Sequence, residues 1–166
     1  MSEFRLTRRG ALLGAAGLSL GACGERRLEP LPQREGPFKH GVASGDPDQT
    51  SLVVWTAVTG PADGLTLEVS DDPDFTAPRN VALAAAGEPV DDVTPFKAFL
   101  SGLTPGAPVW YRFRLGEQLS PAGRAAALPE GAVESFRIAA FSCSNYPAGF
   151  FNAYRDAAEN AAPDLV

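Results

Sequence analysis

The 166-residue chain contains 45% hydrophobic residues and has a formal net charge of −6. This length and apolar content allow about one domain of buried core, and 17 glycines with 15 prolines favour a turn-rich β architecture. The acidic balance, without a run of basic residues, excludes a dedicated nucleic-acid-binding patch.

Residues 1–23 have the pattern of an export signal. Arg5, Arg8 and Arg9 precede residues 11–22, which consist of Ala, Leu, Gly and one Ser. This stretch suits the apolar part of a signal peptide and is shorter than the ~20 apolar residues of a membrane-spanning helix. Arg8, Arg9 and their neighbours resemble a twin-arginine signal, which implies transport by the twin-arginine export machinery.

The signal ends in a candidate lipidation site. Residues 20–23 read Leu-Gly-Ala-Cys and resemble a bacterial lipobox, which implies that Cys23 is acylated and anchors the protein to a membrane. Two alternatives remain open, namely an ordinary signal peptide cleaved nearby and a disulfide between Cys23 and Cys143. Residues 24–37 contain three prolines and mixed charges without apolar periodicity, so they are predicted to form a tether.

Residues 38–128 are predicted to form a β-sandwich, because short β-type runs alternate with turn signals. Trp55 and Trp110 lie within predicted strands, and we expect both to be core residues. Residues 103–113 resemble the strand-entry turn of a fibronectin type III-like domain, with Val109 at the position of its corner tyrosine. The predicted strands are 38–44, 52–58, 65–70, 80–84, 96–101 and 109–115.

Residues 134–166 are predicted to begin an α/β domain. Residues 136–141 have the pattern of a buried strand, residues 147–162 have helical spacing, and residues 164–166 begin another strand. Such an opening βαβ unit would bring Cys143 to the carboxyl end of its first strand, where ligands gather in parallel sheets. Since the unit is unfinished at Val166, we interpret the chain as a fragment.

The residues around Cys143 are compatible with a metal ligand but do not identify one, because no histidine lies nearby. A thiolate suits a transition metal better than calcium or magnesium, and Asn145 is a possible second-layer residue that would donate a hydrogen bond to the sulfur. The alternatives are a small buried thiol for Cys143 and a helix cap or Asx turn for Asn145.

Other polar residues have simpler interpretations. His40 is predicted to lie early in a strand as a packing or surface residue. The acidic residues of the 71–74 segment and the pair Asp91 and Asp92 are predicted to be solvated turn residues, because a calcium loop needs a tighter, repeated spacing of ligands.

Four stretches together resemble the N-terminal part of the PhoD-like alkaline phosphatase/phosphodiesterase family. In order along the chain they read FKHGVASGDP from residue 38, VVWT from residue 53, LTPGAPVWYRF from residue 103 and FSCSNY from residue 141. The similarity extends over residues 38–166. Ala57 departs from the pattern, because the family commonly has an arginine after Trp-Thr.

The resemblance implies an N-terminal sandwich followed by the first βα unit of an α/β metallophosphoesterase domain, which hydrolyses phosphate esters with bound iron and calcium. It places Cys143 on the ligand to the ferric ion, with the other ligands beyond Val166, so we expect these 166 residues to be inactive. We expect an exported protein of the periplasm or cell envelope that acts on a small-molecule phosphate ester. The alternative, from a different functional class, is a stand-alone exported β-sandwich that binds a protein or a glycan.

Overall fold

The computed structural model describes residues 35–142 and 151–166. Residues 35–142 are mainly β, as the sequence predicts, and contain nine strands. The strands are β1 (Val42–Gly45), β2 (Ser51–Thr59), β3 (Thr66–Ser70), β4 (Arg79–Val81), β5 (Ala84–Ala85), β6 (Val93–Ser101), β7 (Pro108–Leu115), β8 (Gln118–Leu119) and β9 (Gly123–Ala126).

The strands form two antiparallel sheets. The first has the order β1-β2-β6-β5, and the second has the order β4-β3-β7-β8 with β9 also paired to β7. Strands β2 and β6 pair along their whole length, whereas β5 pairs only with Phe96 and Lys97 of β6. Among the described residues, no strand therefore lies beside residues 98–101 on the β5 side of β6.

The core lies between the two sheets. Alternate residues of a strand point to opposite faces, so every second apolar side chain of the central strands turns inward. Burial of one such side chain contributes about 1.5–3 kcal/mol. The core cluster contains Phe38, Leu52, Val54, Val58, Leu67, Val69, Ala98, Leu100, Val109, Tyr111 and Phe113.

The prediction that Trp55 and Trp110 are core residues is wrong. Both are only partly buried, and they occupy the strand positions that alternate with the inward-facing ones. Leu52 and Val54 fill the core from β2, and Tyr111 fills it from β7. The tryptophans therefore lie on the outer faces of the sandwich because of their position in the alternation.

Two predicted strands have different boundaries in the structure. Residues 38–41 form a turn in which the Gly41 N–H donates to the Phe38 carbonyl at 2.9 Å, so β1 begins only at Val42. The predicted strand 80–84 is divided, because the chain leaves the second sheet after β4 and joins the first sheet as β5.

Tyr111 connects the two sheets. Its buried ring lies edge-on to that of Phe113, with centroids 6.4 Å apart and an interplanar angle of 90°. Its hydroxyl faces Ser44 of β1 in the other sheet, and burial of the ring raises the pKa of the phenol. The ring also packs so closely on Gly123 that a Cβ atom there would lie 2.3 Å from the ring atom Cζ.

Residues 90–93 form a tight hairpin before β6. Val90 and Val93 exchange two backbone hydrogen bonds of 2.9 Å, and Asp91 and Asp92 have φ angles of 48° and 66°. Two successive left-handed residues are typical of a type I′ turn. The interpretation of Asp91 and Asp92 as exposed turn residues is confirmed.

We expect Gly123→Ala to destabilise the protein by about 1–3 kcal/mol, because the added methyl group would displace the buried Tyr111 ring. Urea denaturation followed by tryptophan fluorescence measures the change in the free energy of unfolding. Gly45→Ala is the matched control, since Gly45 also lies in a strand and a Cβ there would meet nothing within 4 Å. Equal losses from the two substitutions would contradict the proposed packing.

We expect Asp92→Gly to stabilise the protein by about 0.5 kcal/mol, because glycine adopts a left-handed conformation without steric cost. Asp92→Val should instead destabilise it by about 1–2 kcal/mol, since a β-branched residue is strained at positive φ. Thermal unfolding of both variants tests the turn. If Asp92→Val is as stable as Asp92→Gly, the left-handed conformation of residue 92 is wrong.

Candidate functional site

The two ends of the predicted βαβ unit meet in a short parallel contact. Ile138 and Leu165 form a parallel bridge. The Arg137 carbonyl accepts hydrogen bonds from the N–H groups of Asp164 at 2.9 Å and Leu165 at 3.2 Å, and the Ala139 N–H donates to the Leu165 carbonyl at 2.9 Å. The segment that precedes Cys143 in the sequence thus runs parallel to the last residues of the chain.

The prediction that residues 136–141 form a buried strand is wrong for the described part of the chain. Phe136 is 40% exposed and Ile138 is 65% exposed, and their pairing is limited to one bridge. A parallel pair becomes buried when helices or further strands cover both of its faces. The described residues supply no such cover on Ile138.

A short helix lies between the two bridged segments. Helix α1 (Asn152–Asp156) continues directly into a π-helical turn, Ala157–Ala161, and ends where Ala162 adopts a left-handed conformation before Pro163. The ring of Tyr154 stacks on Phe141 with centroids 4.4 Å apart. Neither this helix nor any other helix of the described residues is long and apolar enough to cross a membrane.

The principal candidate site residues lie outside the described residues. Cys143 and Asn145 fall in the gap between residues 142 and 151, and Arg8, Arg9 and Cys23 precede residue 35. Their predicted roles as metal ligand, second-layer residue, export signal and lipidation site stay predictions. Within residues 35–142 and 151–166, no three His, Cys, Asp or Glu side chains are grouped as a metal site would require.

Asp72 organises a turn rather than a cation loop. Its carboxylate accepts hydrogen bonds from the Ser70 hydroxyl at 2.8 Å and from the Asp74 N–H at 2.9 Å, and Thr76 donates to it as well. The hydrogen bond from Ser70, assisted by those from Thr76 and Asp74, lowers the pKa of Asp72. Asp71 and Asp74 are exposed, so the interpretation of these residues as turn residues is confirmed.

His40 lies in the turn before β1 and is exposed. The predicted surface location is therefore confirmed, but the predicted position within a strand is wrong. The turn has a different structural role, because its Gly41 carbonyl accepts a 2.8 Å hydrogen bond from the buried Thr56 hydroxyl.

A charged cluster on the second sheet was missed by the sequence analysis. Glu68 of β3 lies directly opposite Arg112 of β7, and its carboxylate accepts hydrogen bonds from Nε of Arg112 at 2.6 Å and Nε of Arg114 at 2.5 Å. The Arg112 guanidinium also lies 4.1 Å from the ring centre of Phe75. The hydrogen bond from Arg114, with that from Arg112, holds the pKa of Glu68 below its usual value of 4.5.

A large concave surface lies on the outer face of the first sheet, and we call it the aromatic groove. Its volume is about 840 Å³. It is lined by residues 43–46 of the β1 end, Val53 and Trp55 of β2, residues 82–84 and residues 97–99 of β6. Its lining is mostly apolar, and Phe99 is 63% exposed.

A second concavity, the C-terminal cleft, separates the sandwich from the end of the chain. Its volume is about 310 Å³, and its walls are residues 44–47, Leu52, residues 124–126 and residues 163–166. Residues 44–46 line both this cleft and the aromatic groove. The end of the chain thus lies next to the groove, separated from it by the end of β1.

Comparison with known proteins gives one consistent result. The family profile for the N-terminal domain of PhoD-like phosphatases matches residues 24–129. Alkaline phosphatase D of Bacillus subtilis (strain 168) is 33% identical over an alignment of 169 positions, which covers 91% of this chain and 28% of that protein. A solved structure of PhoD matches with a TM-score of 0.60 and 30% identity, covering 78% of this chain and 27% of the other.

We expect Glu68→Gln to destabilise the protein by about 1–3 kcal/mol at neutral pH, because two arginines lose a charged acceptor. Since the folded-state pKa of Glu68 is lowered, its stabilising effect is complete above about pH 4.5 and is lost as pH falls through that lower value. The difference between wild type and variant should therefore shrink in acid.

Urea denaturation at neutral pH and well below pH 4.5 measures this difference. Glu117→Gln is the control, since Glu117 is exposed and its substitution should change the free energy of unfolding by less than about 0.5 kcal/mol. A Glu68→Gln effect that is constant with pH would contradict the role of the carboxylate charge.

Proposed function

Because the chain belongs to the PhoD-like phosphatase family, matching its N-terminal domain, we propose that it is the N-terminal part of an exported, metal-dependent phosphatase or phosphodiesterase that hydrolyses small-molecule phosphate esters. The observation that carries this proposal is the family match over residues 24–129, followed by the parallel contact between Ile138 and Leu165. The chain spans 28% of the length of the Bacillus subtilis relative, so the ester chemistry is assigned to a domain that begins near residue 134 and extends beyond Val166.

The proposed role of Cys143 rests on the family pattern, and its chemistry and its place in the sequence are compatible with that role. Ser142 is exposed and ends the described part of the segment that is bridged to Leu165. A thiolate that follows it would stand at the carboxyl end of a parallel pair, where ligands from neighbouring segments converge. Sulfur suits iron, whereas calcium takes six to eight oxygen ligands, so Cys143 would hold the iron and other residues would hold the calcium.

When bound, such metal ions supply charge that polarises a phosphoryl oxygen and lowers the pKa of a bound water. In this proposal the chain's own contribution is to position the thiolate. The hydrogen bonds of Arg137 to the last residues of the chain fix the segment that leads to Cys143, and the Phe141–Tyr154 stack orients its end. Asn145 would donate a hydrogen bond to the sulfur and so tune its electron donation.

The proposed location is the periplasm or the cell envelope. The twin-arginine-like pattern at Arg8 and Arg9 supports export, and the lipobox-like sequence at Cys23 supports a lipid anchor. A proline-containing tether, residues 24–37, would then hold the sandwich away from the membrane surface.

In the full-length gene product, we expect Cys143→Ala to remove the bound iron and to lower phosphodiester hydrolysis by at least about 100-fold, because even outer-layer changes at metal sites cost 10–100-fold. Elemental analysis and steady-state hydrolysis of a chromogenic phosphodiester measure the two effects.

Cys23→Ala, studied in protein released from the membrane, is the matched control, because it removes the other cysteine without touching the proposed metal site. It should retain iron and activity. A gene that terminates at codon 166, or a full-length wild-type protein that binds no metal and cleaves no ester, would contradict the proposed function and favour an exported binding module.

A further inference from the structure

The aromatic groove is built from two rows of side chains that cross the first sheet. The strand register aligns Ala43, Trp55, Lys97 and Ala84 in one row. The next row contains Gly45, Val53 and Phe99. Small residues at both edges leave the large side chains in the middle uncovered.

This outer face is unusually apolar for a sandwich surface. A sheet with one face in water has polar residues at every second position. In the groove, the outward positions of β2 and β6 carry Val53, Trp55 and Phe99 together with Lys97, whereas polar residues such as Ser51 and Ser101 lie at the ends of these strands. A contiguous exposed apolar patch with a concave shape indicates an interaction surface, whereas a single exposed apolar residue does not.

The last described residues lie close to this patch. Residues 44–46 form a wall of both the aromatic groove and the C-terminal cleft, and residues 163–166 form the opposite wall of the cleft. A polypeptide that continues from Val166 therefore starts beside the groove. The Bacillus subtilis relative has room for such a continuation, because this chain spans only 28% of its length.

We propose that the aromatic groove is the docking surface for the polypeptide that follows Val166, so that Trp55 and Phe99 are buried in the intact protein. This inference rests on the proposed function, in which a catalytic domain follows the sandwich. Interfaces between domains of one chain bury about 600–1,500 Å², which requires a surface larger than the contact at residues 163–166 alone. The groove is the apolar surface that continues from that contact.

Cysteine labelling of the full-length protein tests the inference. In the structure of the present chain, Phe99 is 63% exposed on the first sheet, and Leu119 is 43% exposed on the second sheet. If the groove is covered, Phe99→Cys should react with a water-soluble maleimide on the order of tenfold more slowly than Leu119→Cys, because reaction needs local opening. Peptide mass spectrometry quantifies each site separately from Cys23 and Cys143.

The 166-residue chain provides the matched comparison, since there Phe99→Cys should react at least as fast as Leu119→Cys. Equal rates in the monomeric full-length protein would overturn the inference. Protection that disappears on dilution would also overturn it, because it would identify a second copy as the occupant.

A second measurement covers the case in which substitution by cysteine loosens the contact. In the full-length protein, Phe99→Asp should increase protease cleavage between residues 127 and 137 several-fold, because an undocked domain leaves this connection accessible. Leu119→Asp should not. Cleavage that is unchanged by Phe99→Asp would contradict docking on the groove.

Metal content and ester hydrolysis of the same wild-type preparation separate the two proposals. Hydrolysis together with a freely reactive Phe99→Cys would refute the docking surface and leave the proposed function intact. Protection of Phe99→Cys in a protein that binds no metal and cleaves no ester would refute the proposed function and leave the docking surface intact.

Discussion

The packing of Tyr111 between the two sheets is the contact on which the rest of the structure depends. Its ring fills the space over Gly123 in β9, and its hydroxyl faces Ser44 in β1 of the opposite sheet. Strand β1 is a short edge strand that pairs with β2 through only four residues. The contact with Tyr111 in the other sheet therefore supports the position of β1. The end of β1 is also the wall shared by the groove and the cleft, so the residue that the tyrosine hydroxyl faces, Ser44, lines both concave surfaces.

The sequence predicted β2, β3 and β7 well, because runs of β-type residues there are bounded by turn signals. It did not predict which face of β2 turns inward, because Leu52, Val53, Val54 and Trp55 are all apolar and a period of two does not distinguish the faces. The structure resolves this through pairing, since Thr56 must turn inward for its hydroxyl to reach the Gly41 carbonyl. Trp55 is consequently directed outward.

The candidate site was predictable only in part, and for a different reason. Cys143 is a lone thiol without a nearby histidine in the sequence, so its assignment as a ligand depends on the family pattern rather than on local spacing. The cluster of Glu68, Arg112 and Arg114 could not be predicted for another reason. Its charges are visible in the sequence, but β3 and β7 are far apart along the chain, and only the strand register shows that they meet.

The short β5 strand has a consequence for the integrity of the protein. Since β5 covers only two residues of β6, the backbone of residues 98–101 forms an open strand edge among the described residues, next to the apolar groove. Unprotected edges of this kind recruit extended segments of other chains and template aggregation. A sandwich in which this edge is left open would therefore tend to polymerise, and any segment that covers residues 98–101 would also protect solubility.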